Sequence, residues 1–363
     1  MLSTRLLLSK GPGVHAALQS LGWTEALAAS FEPFSQTHTP ARVSRVDRGA
    51  VDVLAAGADE TSTPLRARIR PNDATPAVGD WVALADDTVG LIVDRVLPRR
   101  TAIERAVVSG RSESQVLAAN IDIVLIAVPA FPEPRPGMVE RMIALAWDSG
   151  ATPVVALTKT DLTPDAAGVA ADLMEAAPGV DVVAVNAVDD DGFAALSPYL
   201  QNGQTLCLLG RSGAGKSTLV NALLGADVLA TQDIRRDGKG RHTTSHRELI
   251  PLPGGAVLLD TPGLRGAGLW VSDEGLDRAF ADVEELIAQC RFADCQHESE
   301  PGCAVLAAIG EGRLPERRLA SWRKLQREAQ WMASRTDARL RSEQRRAWKM
   351  VHKEVRRSGR IRP

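Results

Sequence analysis

The chain has 363 residues, 44% of them hydrophobic and 24% charged, with a formal net charge of −2. This composition excludes a disordered chain and suits two or three soluble domains. No apolar run approaches the roughly 18–20 residues of a membrane span, and four cysteines in such a length make no disulfide framework, so a cytoplasmic protein is expected. The charge is uneven: residues 313–363 carry 17 Lys/Arg against 5 Asp/Glu, an asymmetry that often marks a segment meeting a polyanion.

Residues 1–38 show weak periodicity. Leu18, Leu21, Trp23 and Leu27 fit a short helix, and PFSQTHTP reads as loop, so a mobile or loosely docked arm is expected. Over 39–103 the runs ARVSRV, VDVLAA, LRARIR, DWVALA and GLIVDRV are separated by Gly, Asp, Asn and Pro. Short strands spaced by turn signals predict a five-stranded, OB-like β-barrel. Trp81 is the only aromatic residue over 39–100, and nine basic residues balance nine acidic ones there. Both facts weaken a base-stacking platform, leaving a packing barrel and an RNA-contacting barrel as alternatives.

Residues 104–282 change to strand–helix alternation. IDIVLIAV (121–128), TPVVALT (152–158), VDVVAVN (180–186), TLCLLG (205–210) and AVLLD (256–260) are apolar on both faces, as strands of a parallel sheet covered by helices must be. Helices are predicted over 138–149, after Thr163 as N-cap with Pro164 at the first position, and over 216–224. Residues 283–363 combine a cysteine cluster with a basic amphipathic helix. There Leu319, Trp322, Leu325, Ala329 and Met332 form the seating stripe, and the arginines face outward.

The strongest motif is Gly210-Arg211-Ser212-Gly213-Ala214-Gly215-Lys216-Ser217, followed by Thr218. It matches GxxxxGK[ST] between a strand and a helix, where backbone N–H groups curl around phosphates. Lys216 would reach the β- and γ-phosphates and Ser217 would hold Mg²⁺. Asp260-Thr261-Pro262-Gly263 ends a strand, where a carboxylate suits a water-mediated Mg²⁺ contact and a glycine N–H suits the γ-phosphate. Thr158-Lys159-Thr160-Asp161 resembles the guanine motif NKxD, with Thr158 in the Asn position. Its carboxylate would accept from the guanine N1–H and exocyclic amine. Asn186-Ala187, ending the next strand, fits the remaining base-side loop. TKTD precedes the P-loop, which precedes DTPG, so the usual order is rotated and the predicted GTPase domain is circularly permuted.

Cys290, Cys295, His297 and Cys303 supply three thiolates and one imidazole, the complement of a closed, structural zinc site. Cys207 lies in an apolar strand and reads as a core residue.

In this combination and order the sequence resembles the ribosome small-subunit-dependent GTPases, the RsgA or YjeQ family. The resemblance covers roughly residues 38–325 and rests on ANIDIVLIAV, GRSGAGKSTLVNALLG, GRHTT, DTPGLRGAGLW and CRFADCQHESEPGCAV. It implies a bacterial cytoplasmic factor, with GTP, Mg²⁺ and one structural zinc. This factor binds the small ribosomal subunit and its rRNA late in maturation and is stimulated by it; a monomer is expected. It also implies that GRHTT is switch I, with Thr243 or Thr244 meeting Mg²⁺ and the γ-phosphate. Leu264 occupies the place where many GTPases orient water with glutamine, so His242 or a ribosomal group would take that task. The implied catalytic set is Lys216, Ser217, His242, Thr243, Thr244, Asp260 and Gly263. The alternatives are a GTP-gated rRNA-binding assembly factor whose hydrolysis is incidental, and an ATPase with an RNA-binding tail.

Overall fold

The computed structural model describes residues 12–57, 61–70, 75–106, 114–186, 192–225, 247–260 and 271–336. They fall in two compact units, Met1–Glu104 with Val116–Leu269 and Arg105–Gln115 with Trp270–Pro363. The second unit takes in residues 105–115 and 270–282, which the sequence reading placed in the GTPase domain.

In the first unit, strands of alternating polarity close on themselves. β1 (Thr39–Asp47), β2 (Ala50–Ala56), β3 (Ser62–Ile69), β4 (Trp81–Asp87) and β5 (Gly90–Val96) form a barrel in the order β1-β2-β3-β5-β4, with β1 paired antiparallel to both β2 and β4. Val43, Val51, Val53, Ala67, Val82, Leu84 and Val93 fill it, every second residue of each strand turning inward. This is the expected OB-like barrel.

The segment expected as a loosely docked arm is instead packed down in its described part. α1 (Pro12–Gln19), α2 (Glu25–Phe31) and the turn between them bury Ala17, Leu18, Leu21 and Phe31. Trp23 meets Trp81 edge-on at 4.7 Å and Phe31 at 5.9 Å. Trp81 is fully buried under this cover, so it serves packing and is out of reach of a base. Arg42 is also buried: it donates to the carbonyls of Leu21, Gly79 and Asn120 and lies 5.6 Å from the Trp81 ring. Burial pulls its pKa down to about 10, and the group stays charged. Gly79 has φ +89°, and a Cβ there would lie 2.2 Å from the Ala119 carbonyl, so only glycine allows the barrel to approach this chain.

A two-stranded ribbon, β6 (Ala102–Ala106) and β7 (Ser114–Ala119), comes next in sequence. The main sheet then contains β8 (Ile123–Pro129), β9 (Thr152–Thr158), β10 (Asp181–Ala184), β11 (Thr205–Leu209), β12 (Glu248–Pro251) and β13 (Val257–Asp260). Its order is β10-β9-β8-β11-β13-β12, parallel throughout except for β12 at the edge. The strand before the P-loop is thus central, flanked by the strand that opens the sheet in sequence and the strand that carries Asp260. α3 (Pro136–Asp148), α4 (Ala166–Ala176) and α5 (Lys216–Leu224) connect them. The cap of α4 differs from the sequence reading. Asp165 is the N-cap, its carboxylate accepting from Gly168 N at 2.8 Å, while Thr163 closes the turn before it. A carboxylate one residue before the helix outcompetes a hydroxyl three residues before it, because charge at a helix N-terminus is the stronger acceptor.

The second unit holds α6 (Asp273–Ala279), α7 (Ala281–Ile287), α8 (Ala304–Gly310) and α9 (Glu316–Thr336). Leu319, Trp322, Leu325 and Ala329 are buried as expected, and Met332 is half-buried. Arg318 departs from the outward-facing expectation. It is 1% exposed, bonds both Asp282 oxygens at 3.0 and 2.8 Å and the Ala279 carbonyl at 2.6 Å, and lies 4.1 Å from the Phe280 ring. The rest of the basic segment, 337–363, lies outside the described residues. Among the described residues, no helix is long and apolar enough to cross a membrane.

Candidate nucleotide site and metal cluster

Parallel strands bring their C-terminal ends to one edge of the sheet, and the loops that leave those ends form the site. β11 delivers the loop Gly210–Gly215, and α5 starts at Lys216 with no side chain capping it, leaving its first amides for an anion. Gly210 has φ +150°, and a Cβ there would lie 2.7 Å from the Ala127 carbonyl, so the loop can leave the sheet only through glycine. Lys216 Nζ donates to the carbonyls of Gly210 and Arg211, both at 2.7 Å, which draws its charge across the loop. Arg211, Ser212, Gly213 and Ser217 are exposed, Gly215, Lys216 and Thr218 half-buried, and Ala214 buried.

β9 delivers TKTD to the same edge. The Thr158 hydroxyl donates to the Ala214 carbonyl at 2.8 Å, joining this loop to the P-loop. Ala130 N donates to the Thr158 carbonyl at 2.7 Å, fixing the motif against the end of β8. Lys159 takes a left-handed conformation, φ 57° and ψ 38°, and Thr160–Leu162 form a single 3-10 turn that leaves the Asp161 carboxylate exposed. Asn186 is half-buried beyond the end of β10, its N–H bonded to the Gly192 carbonyl at 3.2 Å. Asp260 ends β13, its backbone in register with Glu248. Ala187, His242, Thr243, Thr244, Gly263 and Leu264 lie outside the described residues. The tie from Thr158 to Ala214 has no sequence signal beyond the motif itself.

In the second unit Cys290, Cys295, His297 and Cys303 converge, their ligand atoms all within 4.8 Å of one another. Cys290 and Cys303 sulfurs are 3.9 Å apart, and His297 Nδ1 lies 3.6 and 3.5 Å from them. A tetrahedral centre with metal–sulfur bonds of about 2.3 Å needs sulfurs about 3.8 Å apart, so this cluster can hold a metal ion. His297 is buried, and burial, with Arg323 adding to it, lowers its pKa and favours the neutral, ligating imidazole. The surroundings complete the knuckle. Arg323 donates to the carbonyls of Gln296 and His297 at 2.9 and 2.8 Å. Glu300 accepts from the amides of Gln296, Glu298 and Ser299, which pulls its pKa down to about 2. Trp322 stands edge-on to His297 at 6.2 Å and donates to Glu284 at 2.8 Å. The sequence reading named the four converging residues; it missed Arg323 and Glu300, which no spacing rule identifies, and saw Trp322 only as part of the apolar stripe.

Residues 96–270 match the model of the RsgA GTPase family. The chain is similar to the small ribosomal subunit biogenesis GTPase RsgA of Streptomyces coelicolor, 51% identical over 354 residues, covering 96% of this chain and 94% of that one. It is 44% identical over 361 residues to the protein of the same description from Opitutus terrae, covering 95% and 98%. Among solved structures it shares its fold with YjeQ from Thermotoga maritima, at a TM-score of 0.61 and 24% identity over 80% of this chain and 98% of that one. YloQ, described as a circularly permuted GTPase, gives 0.59 at 24% identity over 80% and 95%.

Proposed function

The chain belongs to the RsgA GTPase family, and from that premise we propose that it hydrolyses GTP in the biogenesis of the small ribosomal subunit. The observation that carries this reading is the convergence of TKTD and the P-loop at one sheet edge, tied by the Thr158–Ala214 bond although 56 residues separate the two. A guanine-reading carboxylate and a phosphate cradle are useful together only on one nucleotide.

Asp161 selects guanine, since it can accept from two donors that adenine lacks. The P-loop amides and Lys216 hold the β- and γ-phosphates and stabilise the charge that develops as water attacks the γ-phosphorus. Ser217, Asp260 and Thr243 or Thr244 would hold Mg²⁺, which when bound neutralises the phosphate oxygens. Gly263 would donate its N–H to the γ-phosphate. Leu264 cannot orient water, so intrinsic turnover is slow and His242 or a group from the subunit takes over. Cys290, Cys295, His297 and Cys303 hold zinc, closed and structural, because all four positions are protein ligands. The basic residues beyond Gln344 meet rRNA phosphates.

Turnover of GTP and ATP with purified small or large subunits tests the reading. GTP turnover rises strongly with small subunits alone, and ATP is a poor substrate. GTP turnover indifferent to small subunits, with nucleotide-dependent binding intact, would instead make the protein an assembly factor with incidental hydrolysis.

A further inference from the structure

Thr158 stands where the guanine motif usually carries asparagine, and its surroundings assign it a different task from reading a base. It is the last residue of β9 and is 3% exposed. Its hydroxyl lies 2.8 Å from the Ala214 carbonyl and 3.4 Å from the Val128 carbonyl. A hydroxyl carries one proton, and the shorter contact takes it. Ala214 is 1% exposed, so its carbonyl meets this donor in a place sealed from water.

The next peptide turns that bond into geometry. In a trans peptide the carbonyl and the following N–H point in opposite directions. Holding the Ala214 carbonyl toward β9 therefore aims the Gly215 N–H the other way, at the mouth of the loop where α5 begins. Gly215 carries the turn itself: its φ of +83° is a backbone that glycine adopts freely, and its Cα faces the Thr158 side chain. The left-handed Lys159 follows Thr158, and Leu162 N closes onto its carbonyl at 3.1 Å.

We propose that Thr158 is a positioning residue that aims the Gly215 amide at the phosphates and contributes nothing to the choice of base. This rests on the GTPase reading above. Its consequence is that losing the hydroxyl weakens every nucleotide by the same factor, whatever the base.

The test is equilibrium binding of GDP, GTP and inosine triphosphate, which lacks the exocyclic amine, to the full-length protein and to Thr158→Ser, Thr158→Cys and Thr158→Val. Valine keeps the shape and removes the donor, so all three nucleotides bind about tenfold more weakly, the worth of an ordinary buried hydrogen bond. Serine stays near the parent, and cysteine, a weak donor, falls between. The ratio of GTP to inosine triphosphate affinity is constant across the series. Unchanged affinity in Thr158→Val, or a ratio that falls with the donor, overturns the proposal. The cysteine and serine variants supply the same ordering should the valine variant fold poorly. A parent protein that binds none of the three nucleotides would instead sink the GTPase reading.

Discussion

The hydrogen bond that joins the two candidate nucleotide loops spans 56 residues, from Thr158 to Ala214, whereas all four residues of the candidate metal cluster lie between Cys290 and Cys303. The loops hang from strands whose residues are almost wholly buried: Val124, Leu125 and Ile126 in β8, Val154 to Leu157 in β9, and Leu206 to Leu209 in β11. That sheet is held together by apolar burial. The cluster is flanked by α7 and α8, seven residues each. Isolated helices shorter than about 12–15 residues are marginal even in favourable sequences. One site is thus a product of a core, and the other is part of what makes its core. Metal should therefore contribute folding free energy to the second unit and none to the first.

The sharpest way to break that contrast is a reciprocal pair of variants. Lys216→Ala removes the charge that crosses the P-loop. Its turnover should fall by about a hundredfold or more, the usual cost of one transition-state donor, while its metal content stays that of the parent. Cys303→Ser removes a ligand that also caps α8 by accepting from Leu306 N at 3.4 Å. It should lose the metal, and amide exchange should quicken over 290–325, while GTP affinity stays within about twofold, as expected for separate sites. Metal loss in the lysine variant, or loss of nucleotide binding in the serine one, would mean that the two sites share a folding unit.

Electrostatics sharpen the contrast on the side of the second unit. Arg318 and Arg323 serve its interior, through Asp282 and through the carbonyls beside His297. Any charge that the segment offers to RNA must therefore come from its other basic residues. Truncation after Gln344 removes Arg345, Arg346, Lys349, Lys353, Arg356, Arg357, Arg360 and Arg362. Small-subunit affinity should fall by at least about tenfold. The slope of log affinity against log salt should flatten by about 0.7–0.9 for each phosphate that is no longer neutralised. Basal GTP hydrolysis should be untouched, since the nucleotide motifs end before residue 264. An unchanged slope would mean that the segment has no role in RNA binding.

What the sequence made legible follows the same division. Contiguous motifs with fixed spacing, the P-loop, TKTD and the Cys3His run, carry their chemistry in one stretch of chain. Their order alone required a permuted sheet, and β11 does lie between β8 and β13. Contacts between distant segments left no such mark. Trp81 read as a lone aromatic because its partner Trp23 lies 58 positions earlier, in a stretch with weak periodicity. Thr158 read only as a residue in the asparagine position, since its bond to Ala214 is visible only in three dimensions. Arg318 could have been found. It falls in the row 318, 322, 325, 329, on the buried face of α9, where a charge must have a partner.

The smallest predicted effect asks whether the cluster is held by metal alone or also by its own loop. His297 adopts a left-handed backbone, φ 59°, which costs a non-glycine residue about 1–2 kcal/mol. Glu300 offsets that strain by gathering the amides of Gln296, Glu298 and Ser299 at 2.8, 2.8 and 3.0 Å. Those bonds favour the carboxylate, whose pKa drops from the ordinary 4.5 to about 2 on folding. A lowered carboxyl pKa contributes stability that is fully present above the unfolded value and is lost as pH falls through the folded one. At neutral pH the contribution is therefore complete. Glu300→Gln puts an NH2 group against amides that need an acceptor. Zinc affinity, read by competition with a chelator at pH 7, should fall a few-fold, below the roughly 10–100-fold typical of groups bonded directly to a ligand. Affinity equal to the parent's would mean that the metal alone holds His297 in its left-handed turn, and that the loop contributes nothing before the ion arrives.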